Sequence, residues 1–277
     1  MRWAFMILAL SALLAGSALA APSAEPKAPD WRQVEPENAL VVETTQGRII
    51  LEMSPEAAPL HVARIKALAR QKLYDGLSFF RVIDGFMDQT GDPTNTGEGA
   101  STLPNLNAEF TFRRGASTPF IQAAAPMGEV VGMLGSLPVI SLPEARMASS
   151  PDHKASAWAA YCPGVAGMAR DEDPDSGNSQ FFLMRAAYPT LEQRYTAWGR
   201  VLVGLDVVRA VKTGEPPPAA DRMLTVRVLA DLPERGRPRV YVLDSQGPGF
   251  ARLLAQTRAA RGADFSVCDI DLPAVVR

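Results

Sequence analysis

The chain has 277 residues, with 28 Lys and Arg against 30 Asp and Glu and a net charge of −2. A near-neutral surface does not suit nucleic acid as a partner, and two widely separated histidines, His61 and His153, offer little to a Ser-His-Asp triad or a multi-histidine metal centre. The cysteines, Cys162 and Cys268, lack C-x-x-C spacing, which excludes a thioredoxin-like redox pair.

Arg2, an uncharged run from Trp3 to Leu14, and Ala18-Leu19-Ala20 before Ala21-Pro22 follow the order of a secretory signal peptide, residues 1–20. An uncleaved anchor is the alternative, because the uncharged stretch reaches the lower limit for spanning a bilayer. The Ala-x-Ala site favours cleavage, with no stable membrane insertion afterwards, and Ser17 stands where a lipoprotein box needs cysteine. The expected destination is the periplasm, where disulfides persist. Cys162 and Cys268 then either pair, tying the tail to the main domain, or remain two separate buried thiols. Residues 21–37, opening with a Pro- and Ala-rich stretch, read as a flexible linker, 38–232 as the main domain and 233–277 as an extension.

Residues 39–44 and 48–53 are β-favouring runs joined by Thr45-Gln46-Gly47, a hairpin signal. Pro59 opens a run with Val62, Ile65, Leu68 and Ala69 at helical spacing, ending before Tyr74-Asp75-Gly76. His61, at its start, reads as a solvated or capping residue. Next comes Phe79-Phe80-Arg81-Val82-Ile83-Asp84-Gly85-Phe86-Met87-Asp88-Gln89, which sets one guanidinium among aromatic and thioether side chains. Such a strand suits a reaction that needs neither nucleophile nor proton transfer. The glycine-rich run 91–99 lacks Gly-Lys-Ser/Thr and holds acidic residues, so it does not cradle phosphate.

Further short strands are predicted at 164–169, 180–184, 197–203 and 225–232, with a helix at 205–212 and a loop at Pro216-Pro217-Pro218. Many short strands and two helices point to a β-barrel. Between them, 115–161 is too apolar for a disordered loop and is expected to pack on the barrel near the mouth of the site. The acidic stretch 171–177 places its glycine one position late for a calcium loop, and Phe182 takes the place of the bidentate glutamate, so it reads as a solvated turn. The tail carries a predicted strand at 239–244 and a helix at 248–261, stopped by Gly262.

Three blocks together resemble the cyclophilins. Residues 79–89 are similar to F-H-R-V-I-P-G-F-M-x-Q. Gly164-Val165-Ala166-Gly167-Met168-Ala169 with Asn178-Ser179-Gln180-Phe181-Phe182 is similar to G-x-x-x-M-A then G-S-Q-F-F. Leu191 through Trp198-Gly199-Arg200-Val201 is similar to L-D-x-x-x-x-x-F-G-x-V. The resemblance covers about residues 39–232. It implies a mainly β fold: a closed eight-stranded antiparallel barrel capped by two helices, here with a long inserted loop and a small α/β C-terminal extension. It also implies peptidyl-prolyl cis-trans isomerisation of proline-containing polypeptides, with no cofactor and no metal, by a chain expected to act as a monomer.

Residue roles carry over with the resemblance. Arg81 matches the catalytic arginine; Phe86, Met87, Phe182 and Leu191 match the walls of the proline pocket; Gln89 and Gln180 match groups that orient the arginine and the peptide backbone. Ala169 and Arg170 fall where the backbone faces the substrate, and Arg170 replaces the usual Asn. Thr190 and Tyr195 fall where animal members carry tryptophan and histidine, which predicts a softer wall and weak binding of cyclosporin. The alternative is a non-catalytic module that binds proline-containing segments in the same groove; retention of Arg81 with Phe86, Met87, Gln89 and Phe182 favours the enzyme.

Overall fold

The computed structural model describes residues 29–277, so the expected leader and the first part of the linker lie outside it. In chain order it opens with β1 (Trp31–Gln33), then the hairpin β2 (Ala39–Thr44) and β3 (Gly47–Met53). Thr44 lies opposite Gly47, which leaves Thr45 and Gln46 as the turn, and the Thr44 hydroxyl accepts the N–H groups of Gln46 and Gly47. Helix α1 (Pro59–Arg70) has proline in its first turn, where a missing N–H costs nothing, and buries Val62, Ile65, Leu68 and Ala69. The hairpin β4 (Arg81–Ile83) and β5 (Met87–Thr90) turns through Gly85, whose φ of +68° is strained for other residues.

The insertion supplies β6 (Phe112–Arg114), β7 (Phe120–Ala124), β8 (Val130–Leu134), β9 (Leu137–Ser141), α2 (Ala145–Ser149) and β10 (Ala155–Ala159). The main domain resumes with β11 (Val165–Met168), β12 (Phe181–Met184), β13 (Ala197–Val203), α3 (Leu205–Ala210) and β14 (Met223–Val228). The tail adds β15 (Val240–Leu243), α4 (Pro248–Arg261) and β16 (Ala274–Val276).

Three antiparallel sheets result. The largest runs β14-β2-β3-β13-β11-β12-β5-β4. It curls, but no ladder joins its edge strands β14 and β4; the isolated bridges Ser78↔Arg222 and Val82↔Gly214 lie beside them. The expected closed barrel is therefore a curled half-barrel: β4 is too short to extend a ladder to β14, and residues 77–79 are tied to 221–223 by irregular bonds such as Phe79 N–H to the Asp221 carbonyl.

Both faces of this sheet are buried. Leu40, Val42, Ile49, Leu51, Phe181 and Trp198 point inward with α1, while Val41, Ile50, Val165, Phe182 and Met184 join a second cluster with residues of the insertion and tail. Double burial makes β2 and β3 read as near-continuous apolar runs rather than alternating ones. The outer layer is the five-stranded sheet β6-β10-β9-β8-β7 and the three-stranded sheet β1-β15-β16.

Three expectations change here. Residues 21–37 are not a linker throughout, because Trp31 pairs with Leu243 and β1 is part of the tail sheet. The long insertion is an ordered sheet, joined to the half-barrel and tail where the buried Arg200 donates to the carbonyls of Ser136 and Ile270. His61 is buried rather than solvated, its Nδ1 2.7 Å from a Glu109 oxygen. Glu109 also accepts the N–H groups of Leu60 and His61, so it caps the open N-terminus of α1. Burial pushes the Glu109 carboxyl up, but these bonds outweigh it and hold it below the ordinary range. Smaller shifts follow too: the strand predicted at 225–232 stops at Val228 before a single turn, and α3 ends at Ala210.

Candidate active site

Register lines up the central residues. Arg81 lies opposite Gln89, Gln89 opposite Phe182, and Phe182 opposite Gly167, a row across β4, β5, β12 and β11. Gly167 is required there, because a Cβ would collide with the Phe182 ring. That ring is stacked on Tyr161 at 6.0 Å and meets Tyr195 edge-on at 5.8 Å. Around it Arg81, Phe86, Met87, Gln89, Ala169, Arg170, Phe182, Leu191 and Tyr195 line a cavity of about 230 Å³. The one remaining predicted site residue, Gln180, lines an adjoining polar cavity of about 220 Å³ that shares Gln89, Ala169 and Arg170.

Arg81 is fixed from two sides. Its Nε donates to Glu215 at 2.7 Å and its Nη1 to the side-chain Oε1 of Gln89 at 3.4 Å. Gln89 donates to Gln180 at 2.9 Å, and Gln180 donates to the carbonyls of Gly97 and Gly99. Those carbonyls belong to a loop wound around Asp92, whose carboxylate accepts N–H bonds from Thr94, Thr96 and Gly97. Burial raises the Asp92 pKa, yet the bonds from Thr94, Gly99 and Gly97 prevail and hold it at about 2. Gly99 allows the winding, since a Cβ there would strike the Asp92 carboxylate.

The side chain of Arg170 is turned back on its own loops. It donates to the carbonyls of Arg194, Asp171 and Glu172, and its guanidinium lies 4.6 Å over the Tyr195 ring. Thr190 is exposed, and the ring beside Phe86 is Tyr188, at 4.5 Å. Next to the wall residue Leu191, burial pushes the Glu192 carboxyl up to about 7, against the opposing bond from the Tyr161 N–H.

A family model described as cyclophilin type peptidyl-prolyl cis-trans isomerase/CLD matches residues 39–229. The chain belongs to the cyclophilin-type peptidyl-prolyl cis-trans isomerases. A probable peptidyl-prolyl cis-trans isomerase of Brucella suis biovar 1 (strain 1330) is 33% identical over 191 residues, which span 65% of this cyclophilin and 74% of the relative. Peptidyl-prolyl cis-trans isomerase-like 1 of Gibberella zeae is 29% identical over 63% of this chain and 83% of its own. Among solved structures, cyclophilin AquaCyp293 from Hirschia baltica superposes with a TM-score of 0.83 at 36% identity, covering 89% of this chain and 93% of that one. That coverage exceeds the family segment, so the likeness extends beyond residues 39–229.

Sequence reasoning missed four parts of this cyclophilin's site. Glu215, on the loop before β14, is 134 positions from the Arg81 it holds. The 91–99 run was legible only as something that does not bind phosphate, although Asp92 followed by threonines and glycines is the signature of a carboxylate-centred turn. Tyr161 lies in the insertion and packs behind the cavity, and Tyr188 carries no motif. Of the arrangements open to the cysteines, Cys162 and Cys268 are bonded, joining the end of the insertion to the tail.

Proposed function

We propose that this cyclophilin accelerates X-Pro rotation in exported, periplasmic polypeptides, with Arg81 as its catalytic residue. The carrying observation is a guanidinium oriented by Glu215 and Gln89 at the edge of an apolar cavity that also holds Phe86, Met87, Phe182 and Leu191.

The X-Pro amide resists twisting by about 18–20 kcal/mol because rotation breaks conjugation. In the twisted state the prolyl nitrogen becomes pyramidal and regains a lone pair. Arg81 donates to that lone pair, an acceptor scarcely present in the planar ground state, so the bond favours the transition state selectively. A charged hydrogen bond contributes about 1.5–3 kcal/mol, or about ten- to a hundredfold in rate. The remainder comes from moving the amide out of water and holding the ring among Phe86, Met87, Phe182 and Leu191 while the acyl side rotates.

Export is supported by the Ala18-Leu19-Ala20 leader pattern and by the pairing of both cysteines. X-Pro isomerisation is slow enough to limit the folding of such clients. The test is the cis-to-trans rate of a short X-Pro peptide with the leader-free protein and with Arg81→Ala. A fall of at least tenfold is expected. No acceleration by folded wild-type protein moves the function to proline-peptide binding, and full activity in Arg81→Ala removes Arg81 from the mechanism.

A further inference from the structure

The central cavity has unlike surroundings on two sides. β5 and β12 set the direction from one to the other, with Gln89 opposite Phe182 and Met87 opposite Met184. The polar cavity opens at the Gln89 end, where it is lined by Gln180, Gly97 and Gly99. At the other end the ladder runs one step further, Arg185 N–H bonding to the Phe86 carbonyl, and the chain reaches Tyr188 three residues later. Phe86 and Gln89 are three positions apart, about 10 Å at about 3.3 Å per residue. A peptide with its proline in the central cavity therefore has one flank at the polar cavity and the other over Phe86.

Tyr188 waits at that second end. Tyr188 is 40% exposed, one of the few large apolar residues left open to solvent among the described residues, and its ring lies 4.5 Å from the Phe86 ring at 44°. Its backbone is held at both sides: the N–H donates to the Tyr161 carbonyl, and the carbonyl accepts the N–H of Leu191, the wall residue of the cavity. Pro189 follows and starts the single turn that presents Leu191. The ring is thus placed before any substrate arrives, and contact with it carries a small ordering cost.

We propose that Tyr188, with Phe86 beneath it, is a specificity-determining residue: it forms an aromatic subsite that selects a bulky apolar side chain on the flank of the proline facing away from the polar cavity. The occupant is a residue of the proline-containing substrate itself, because the subsite is continuous with the proline cavity through Phe86. This rests on the isomerase reading above and deepens it. Aromatic pairs add about two- to tenfold to an equilibrium or rate beyond the area they bury.

The experiment measures kcat/KM for two peptide series, one varying Gly, Glu, Leu and Phe before the proline and the other after it, with wild type, Tyr188→Ala and Tyr188→Phe. The readout is the Phe-to-Gly ratio within each enzyme, which is independent of overall rate. Wild type is expected to prefer Phe by about two- to tenfold on one flank, Tyr188→Phe to keep that ratio, and Tyr188→Ala to bring it near one. If Tyr188 merely shields Phe86, Tyr188→Ala lowers all peptides together with the ratio intact, and the proposal fails. It fails equally if wild type shows no aromatic preference on either flank. Turnover of the Gly peptides by wild type reports separately on the isomerase reading.

Discussion

Replacing Asp92 with asparagine tests whether the loop it organises sets the arginine. Asp92 is fully buried; one oxygen accepts the Thr94 N–H at 2.7 Å and the other accepts those of Thr96 and Gly97, the former at 2.9 Å. An amide keeps one acceptor and turns an NH2 group toward the remaining donors. A carboxyl held at about 2 instead of its ordinary 3.8 contributes about 2 kcal/mol of stability at neutral pH. The misplaced NH2 costs about 1–3 kcal/mol more. The sign follows from the depressed pKa: on acidification the unfolded chain takes up the proton first, so this stabilisation is complete above about pH 4 and drains away toward pH 2. Urea unfolding of wild type and Asp92→Asn between pH 7 and pH 3 should show a gap that narrows by about 1 kcal/mol over that range. Because Gly97 and Gly99 hold Gln180, and Gln180 holds Gln89, kcat/KM should fall as well. A gap below about 0.5 kcal/mol at pH 7, or one that does not narrow on acidification, would refute the reasoning.

Glu215→Gln should lower kcat/KM by about two- to fivefold through loss of arginine orientation. Its midpoint of unfolding should barely move, since the Arg81–Glu215 pair is largely exposed and such pairs contribute about 0–1 kcal/mol; a large stability loss with normal kinetics would contradict this. Cys162→Ser opens a cross-link spanning 106 residues, for which loop entropy predicts a loss of about 4–5 kcal/mol, read as a shift in urea midpoint that reductant reproduces in wild type. Glu192 has the opposite linkage to Asp92. Its native pKa of about 7 lies above the ordinary 4.5, so the folded state binds the proton more tightly and stability falls as pH rises from about 4.5 through 7. Thermal unfolding of Glu192→Gln between pH 5 and pH 8 should lose that slope; an unchanged slope assigns it elsewhere.

Features that depend on neighbours along the chain were legible in one dimension. The β2–β3 hairpin follows from two β-favouring runs joined by Thr45-Gln46-Gly47, α1 from Pro59 and its apolar spacing, and α4 from the span between Pro248 and Gly262. The central cavity was legible because its lining is carried by three local blocks, around Arg81, Met168 and Leu191, whose residues converge wherever the family's strand order is kept. The rest involves groups far apart in sequence, whose pairing leaves no local pattern. Glu215 reaches Arg81 only because the loop before β14 closes on β4; Glu109 reaches His61 only because its loop crosses the start of α1. The same holds for β1, a strand of three residues with no periodicity long enough to read, which exists because β15 offers it an open edge. The five-stranded sheet of the outer layer was hidden for a related reason: the apolar residues that β2 and β3 present outward are indistinguishable, in one dimension, from those they present to the interior.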